Sequence, residues 1–241
     1  MNYVIVAPAP TKSAGIMALH MLNHNLNAYG QTSRILTPGY GRKPDDSEIV
    51  VYPDCWCGNM YRAKNVVRFL LMFAGYFGQD SDFDSTELMY YYCPDFIHND
   101  RDPDNILSVP MIHEPHFPYK SPIERSGSCY LAVKYSEVFG NRVEGLPRDC
   151  VEIKRNTQDL QELFSRVKTL HTFDNSAVNI EAGLCGIEIV WHLNRHTVKP
   201  FDFGEYFDWN DVRGSYATQK QFYYRRQLPD FIKRTQERFA K

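Results

Sequence analysis

The sequence predicts an α/β protein made of two α/β halves in tandem, each around a largely parallel sheet. Three observations predict it. Short apolar runs without alternation, such as Tyr3–Ala7 and Glu48–Tyr52, have the pattern of parallel strands buried on both faces. Segments with apolar residues recurring at threes and fours lie between several of these runs. The rhythm stops in a polar, proline-interrupted stretch at residues 98–127 and then restarts. A chain of 241 residues has room for two such halves of about 100–120 residues each.

In order along the chain, a strand at 3–7 leads through a Pro-rich loop with Gly15 into a helix at 16–29. There Ile16, Leu19, Leu22 and Leu26 share a face and Gly30 supplies the stop. Strands follow at 34–37 and 48–52, separated by a loop dense in Gly, Pro and Asp. Ala63 to Met72 has helical spacing, and 87–92 reads as a fourth strand. Past the break, strands are expected at 129–133, 151–153, 169–173 and 187–191. Helices are expected at 158–167 and 176–184, the second ended by Gly186. A final helical stretch from about 218 to 240 is expected to kink or divide at Pro229. The domains read as 1–105, 106–220 and a C-terminal helix at 221–241.

Composition narrows the function classes. The 27 basic and 29 acidic residues nearly cancel, which argues against a nucleic-acid partner. Arg225, Arg226, Lys233, Arg234, Arg238 and Lys241 nevertheless crowd the C-terminal stretch. That basic face has three readings: a solvated surface, contact with an anionic membrane, or reach toward a nucleic-acid acceptor. Six cysteines show no framework spacing, so reduced thiols and a cytoplasmic location are expected. No run of about 18 apolar residues is present to span a membrane. Cys55-Trp56-Cys57 lacks a second pair to complete a metal site. Asp82-Phe83-Asp84 and Asp100-Arg101-Asp102 fall in polar loops, so no metal and no cofactor is expected.

The stretch from Thr172 to Gly186 carries the most chemistry. A strand ends at Phe173, Asp174-Asn175 turns, and a helix begins at Ser176 and Ala177. A helix start presents free N–H groups and a positive dipole end, a natural seat for phosphate oxygens. Glu181, about a turn and a half further on, is placed to accept hydrogen bonds from ribose hydroxyls. The plainer alternative is that Asp174 or Asn175 caps the helix and Glu181 is a solvated surface charge.

This stretch resembles the donor-binding helix of retaining glycosyltransferases of the GT-B class. That motif reads Glu-Gly-Phe-Gly, four residues, Glu-Ala, two residues, Cys-Gly. Glu181-Ala182 and Cys185-Gly186 match it, and Ser176 stands on its second Gly. Phe173 stands on its acidic position, with Asp174 one residue on as the candidate substitute. A smaller bacterial and viral branch, with an aspartate-asparagine turn here, is more similar. Ala14–His20, Val51–Asp54 leading through Gly58-Asn59 to Ala63–Arg68, and the Cys129–Tyr135 strand carrying Lys134 also resemble that branch, which extends the likeness over most of residues 3–191.

The resemblance implies a GT-B fold: two Rossmann-like lobes with a cleft between them and a C-terminal helix crossing back onto the first lobe. It implies an enzyme, a metal-independent retaining glycosyltransferase that moves a sugar from a nucleotide-sugar donor to a glycan, a lipid-linked glycan or another acceptor. Under it Gly15 lets the first-lobe loop approach the donor phosphates or the acceptor, although Ala14 replaces the family's other Gly. Lys134 neutralises the diphosphate, and Arg155 helps in the same way or shapes the base pocket. Asp174, Asn175, Ser176 and Ala177 bind the donor, Glu181 holds the ribose, and His98 contacts the sugar. Three alternatives stay open: a nucleotide- or sugar-binding protein of the same fold with reduced catalysis, a sugar-nucleotide epimerase on the same fold, and a viral-type DNA-modifying glycosyltransferase.

Overall fold

A computed structural model describes all residues except 12, 57, 77–80, 113–123, 141–142, 155–158, 196 and 241. The chain divides into two compact units. The first comprises Met1–Met111, Asp202–Phe207 and Tyr216–Lys241, and the second Ile112–Phe201 and Asp208–Ser215.

The first unit is built on β1 (Asn2–Val6), β2 (Thr32–Leu36), β3 (Ile49–Pro53), β4 (Asn65–Leu70) and β5 (Leu88–Tyr91), all parallel in the order β2-β1-β3-β4-β5. Helix α1 (Ala14–Ala28) buries Ala18, Leu19, Leu22 and Leu26. Among the described residues it is the one helix connecting these strands. The helical spacing of 63–72 is overturned, because this stretch forms β4. Val66, Val67, Phe69 and Leu70 are all buried. A strand enclosed on both faces has an unbroken apolar run that periodicity alone cannot tell from a helix. Two adjacent β-branched valines then favour the extended chain.

Without a helix before β4, a loop covers one face of this sheet. Trp56, Tyr61 and Ala63 pack on Val4, Val6, Val50, Tyr52 and Val66. Arg68 pins that loop from within β4. Its fully buried guanidinium donates to the carbonyls of Trp56 (2.6 Å) and Gly58 (3.0 Å) and to both Glu87 carboxylate oxygens, at 2.8 and 2.9 Å. It also lies about equally close to the Tyr52 and Phe83 rings, 5.1 and 5.0 Å from their centroids.

The chain closes with α5 (Val212–Phe222), a π-helical turn (Tyr223–Gln227) and α6 (Leu228–Phe239). The expected helix therefore begins earlier, at Val212, and is not divided. Pro229 falls in the first turn of α6, and the wider π turn before it accommodates the missing N–H. The face of the first sheet carrying Tyr3 and Tyr90 receives α6. Phe231 touches both rings, and Tyr3 Oη bonds Thr235 Oγ1 at 2.8 Å. From α1, Asn25 Nδ2 donates to Tyr223 Oη at 3.2 Å.

The second unit has four parallel strands, β6 (Ser128–Leu131), β7 (Val151–Glu152), β8 (Thr169–Thr172) and β9 (Glu188–Trp191), in the order β7-β6-β8-β9. Helices α2 (Val133–Phe139), α3 (Leu160–Arg166) and α4 (Ala177–Leu184) accompany them. Its core joins Cys129, Leu131, Phe164, Leu170, Ala182 and Ile187. The strand expected to reach 133 stops at Leu131, and α2 starts two residues later. Asp159 caps α3 by accepting from the N–H groups of Gln161 and Glu162. Gly186, at φ 71°, ends α4 in the left-handed conformation, with Gly186 N–H bonded to Gly183 O and Ile187 N–H to Ala182 O. No helix is long and apolar enough to cross a membrane among the described residues.

Breaking a buried ion pair on one side leaves the other charge uncompensated. Glu87→Ala is therefore expected to lower the unfolding free energy by about 3–5 kcal/mol in urea titrations. A loss near zero would show that Arg68 does not hold the loop.

Candidate functional site

Strands β6 and β8 are neighbours in one parallel sheet, with Leu131 opposite Thr172, so the segments leaving them emerge side by side. One leads into α2 and carries Lys134, and the other is the turn Phe173–Ser176 leading into α4. In α/β sheets this carboxyl-end edge is where ligands bind.

Asp174 joins the two segments. Its side chain is turned inward, and the residue is 3% exposed. One carboxylate oxygen accepts from Lys134 N–H and the other from Tyr135 N–H, both at 2.8 Å. These donors are first-turn N–H groups of α2, so the carboxylate neutralises a helix start. Burial pushes the Asp174 carboxyl up from its ordinary value, opposed by these N–H bonds and by the Lys134 charge. The Asp174 carbonyl accepts from Thr172 Oγ1 and Asn179 Nδ2, each at 2.8 Å.

With α2 anchored, Lys134 Nζ reaches the carbonyl of Asn175 at 3.0 Å, just ahead of α4. Ser176 caps α4, its hydroxyl accepting from Val178 N–H at 3.4 Å. Ala177 opens the helix, and its N–H has no acceptor among the described residues. Asn175 Nδ2 donates to Lys199 O at 3.1 Å, which fixes the amide and leaves Oδ1 buried without a donor. Asn179 repeats the pattern: Nδ2 is engaged by Asp174 O, while Oδ1 is buried and unpaired in a residue with no exposure. Two oriented acceptors thus lack donors among the described residues.

Glu181 lies further along α4, half-buried, with no hydrogen-bond or ion-pair partner to its carboxylate among the described residues. Burial pushes its carboxyl up to about 7. A carboxylate in that state has unmet capacity for donors.

The structure thus gathers Lys134, Asp174, Asn175, Ser176 and Ala177 at one sheet edge, with Glu181 on the same helix. Gly15 and His98 belong to the first unit. Gly15 sits in the first turn of α1, where an added Cβ would meet Leu71 at an ordinary 3.7 Å, so the space does not require glycine. His98 bonds Asn99 Nδ2 at 3.0 Å through Nε2 and meets the Phe83 ring edge-on. Arg155 lies outside the described residues. Among the described residues no group of three His, Cys, Asp or Glu side chains is placed to hold a metal ion.

Sequence reasoning missed Thr172 and Asn179, which lock the turn. An Asn inside a helix is locally disfavoured, and that was the available signal. It also missed an aromatic cluster beside the turn. Phe173 stacks on His192 at 4.3 Å and 16°, Tyr135 packs on Phe173, and His192 Nε2 faces His171 Nδ1 at 3.1 Å. Burial first and His171 second hold His192 below its ordinary value. Nothing in the spacing of these residues brings them together.

No protein-family model matches the chain, and no curated protein matches its sequence significantly.

Asp174→Ala is expected to leave two α2 N–H groups without their acceptor and to cost about 1–3 kcal/mol of stability, read by denaturant unfolding. Glu181 gives a pH signature. The folded state keeps its proton up to about 7, while an unfolded glutamate loses it near 4.5, so folding stability falls as pH rises between those values. Glu181→Gln is expected to raise the melting temperature above that of the parent at pH 8, with the difference vanishing at pH 4. Equal melting curves at pH 8 would remove the buried carboxyl from the account.

Proposed function

We propose that the chain is a glycosyltransferase of the GT-B type, metal-independent and retaining, working in the cytoplasm on a nucleotide-sugar donor and a glycan or other acceptor. One observation carries the reading. A lysine ammonium and the start of α4 converge at Asn175, while an unpartnered carboxylate waits further along the same helix. Cation and helix start suit a diphosphate, and the carboxylate suits ribose hydroxyls.

In this reading the Lys134 ammonium and the Ala177 N–H face the diphosphate. As the bond between the anomeric carbon and the phosphate oxygen breaks, they stabilise the charge developing on the leaving group. The acceptor hydroxyl forms the new bond on the same face, and its proton passes to the departing phosphate. Asn175 Oδ1 and Glu181 accept from donor hydroxyls. Asp174 positions Lys134 and does not touch the donor. The first unit, with Gly15 and His98, takes the acceptor.

A second reading, a nucleotide-sugar-binding protein with reduced catalysis, is favoured by one observation. Asp174, the candidate substitute for the family's acidic position, has both carboxylate oxygens engaged by backbone N–H groups. Turnover separates the readings, since a binding protein releases no nucleoside diphosphate from any donor.

Thermal-shift titration with UDP, GDP, ADP and CMP is expected to show at least one diphosphate raising the melting temperature. Lys134→Ala and Glu181→Ala are each expected to weaken that nucleotide roughly tenfold or more. Unchanged affinity in Glu181→Ala, or no shift with any nucleotide, would refute the proposal.

A further inference from the structure

A cavity of about 320 Å³ lies within the first unit, and none of the residues assigned to the donor site lines it. One wall is a single face of the C-terminal helices. Gln219, Phe222, Arg226 and Asp230 follow one another at spacings of three and four through the π turn. Turns of that kind recur at binding sites because the extra residue re-aims the side chains around it. Opposite stands the segment Phe203–Tyr206, where Tyr206 lies against Phe222 with ring centroids 4.6 Å apart. Tyr90, from β5, completes the cavity.

Among the described residues, two polar atoms of the lining lack partners. Gln219 is 5% exposed, and its Nε2 has no acceptor. Tyr90 is 2% exposed, and its hydroxyl has neither donor nor acceptor. Buried polar groups left in that state are costly and call for an occupant. Charges of both signs line the space: Asp104, Glu205 and Asp230 against Arg226 and Arg234. Arg234 is already engaged by Asn105 Oδ1 at 2.7 Å. Three carboxylates against two guanidiniums do not select an anion.

We infer that this cavity binds a neutral sugar of monosaccharide size. Sugar hydroxyls donate and accept at once, so one kind of group satisfies the Gln219 amide, the Tyr90 hydroxyl, carboxylates and guanidiniums together. The apolar C–H face of a pyranose packs on the exposed Tyr206 ring and on Phe222. The volume falls at the lower end of small-ligand pockets, roughly 300–1,000 Å³. The inference rests on the first unit alone and draws nothing from the α4 site.

The test is saturation-transfer NMR of the full chain, without nucleotide, against D-glucose, D-galactose, D-mannose and N-acetyl-D-glucosamine, with inorganic phosphate as the anion control. Saturable binding of at least one sugar is expected, with no competition from phosphate. Gln219→Leu and Tyr206→Ala are each expected to weaken that sugar roughly tenfold or more. Tyr206 is 41% exposed, so its truncation leaves folding intact and keeps the test decisive if the Gln219 variant does not fold. Absence of saturable binding by all four sugars, equal binding in Tyr206→Ala, or displacement by phosphate would each overturn the inference. Because no nucleotide is present, the result stands apart from the nucleotide titrations.

Discussion

In the second unit two adjacent parallel strands end side by side, and the carboxylate of Asp174 ties together the segments that leave them. Its two oxygens take the first N–H groups of α2, while its carbonyl takes a threonine hydroxyl and an asparagine amide. Removing a carboxylate from water is unfavourable, and only a full set of donors offsets that cost. The consequence is positional. Once α2 is held against the turn, Lys134 stands beside the start of α4, and cation and helix dipole act on one point.

The first unit answers a different need with the same physics. Parallel strands require cover on both faces, and one face of this sheet has a loop where a helix would ordinarily lie. A loop holds such a position only when its backbone groups are satisfied. Arg68 satisfies two of them and is itself neutralised by Glu87. Asn59 closes the loop on itself, accepting from Tyr52 Oη and Ala63 N–H and donating to Ala63 O. In each unit a buried charge thus has its hydrogen-bonding capacity used by the backbone.

The segment Glu181–Gly186 separates into parts with different causes. Gly186 is required by the left-handed helix stop, Ala182 is a core residue, and the carbonyl of Cys185 is taken by Arg125 Nη1 at 2.7 Å. These positions are accounted for by helix geometry and packing. Glu181 is not: it is half-buried, unpaired and held near neutrality, a local loss of stability that packing does not repay.

The sequence by itself determined the α/β class, the position of the strands at 2–6, 49–53 and 88–91, the helix at α1 and the stop at Gly186. Those features follow from local chemistry: apolar runs, threes-and-fours spacing and a glycine that tolerates positive φ. It also determined that residues 174–181 form a turn and a helix start, and hence where a candidate site would lie. Tertiary structure alone decided that 65–70 is a strand, because two-sided burial erases the period that would distinguish it from a helix. It alone turned Asp174 away from solvent, brought Lys134 beside Asn175 and stacked Phe173 on His192, because those contacts join residues 19 to 41 positions apart and are set by strand register rather than by neighbouring sequence.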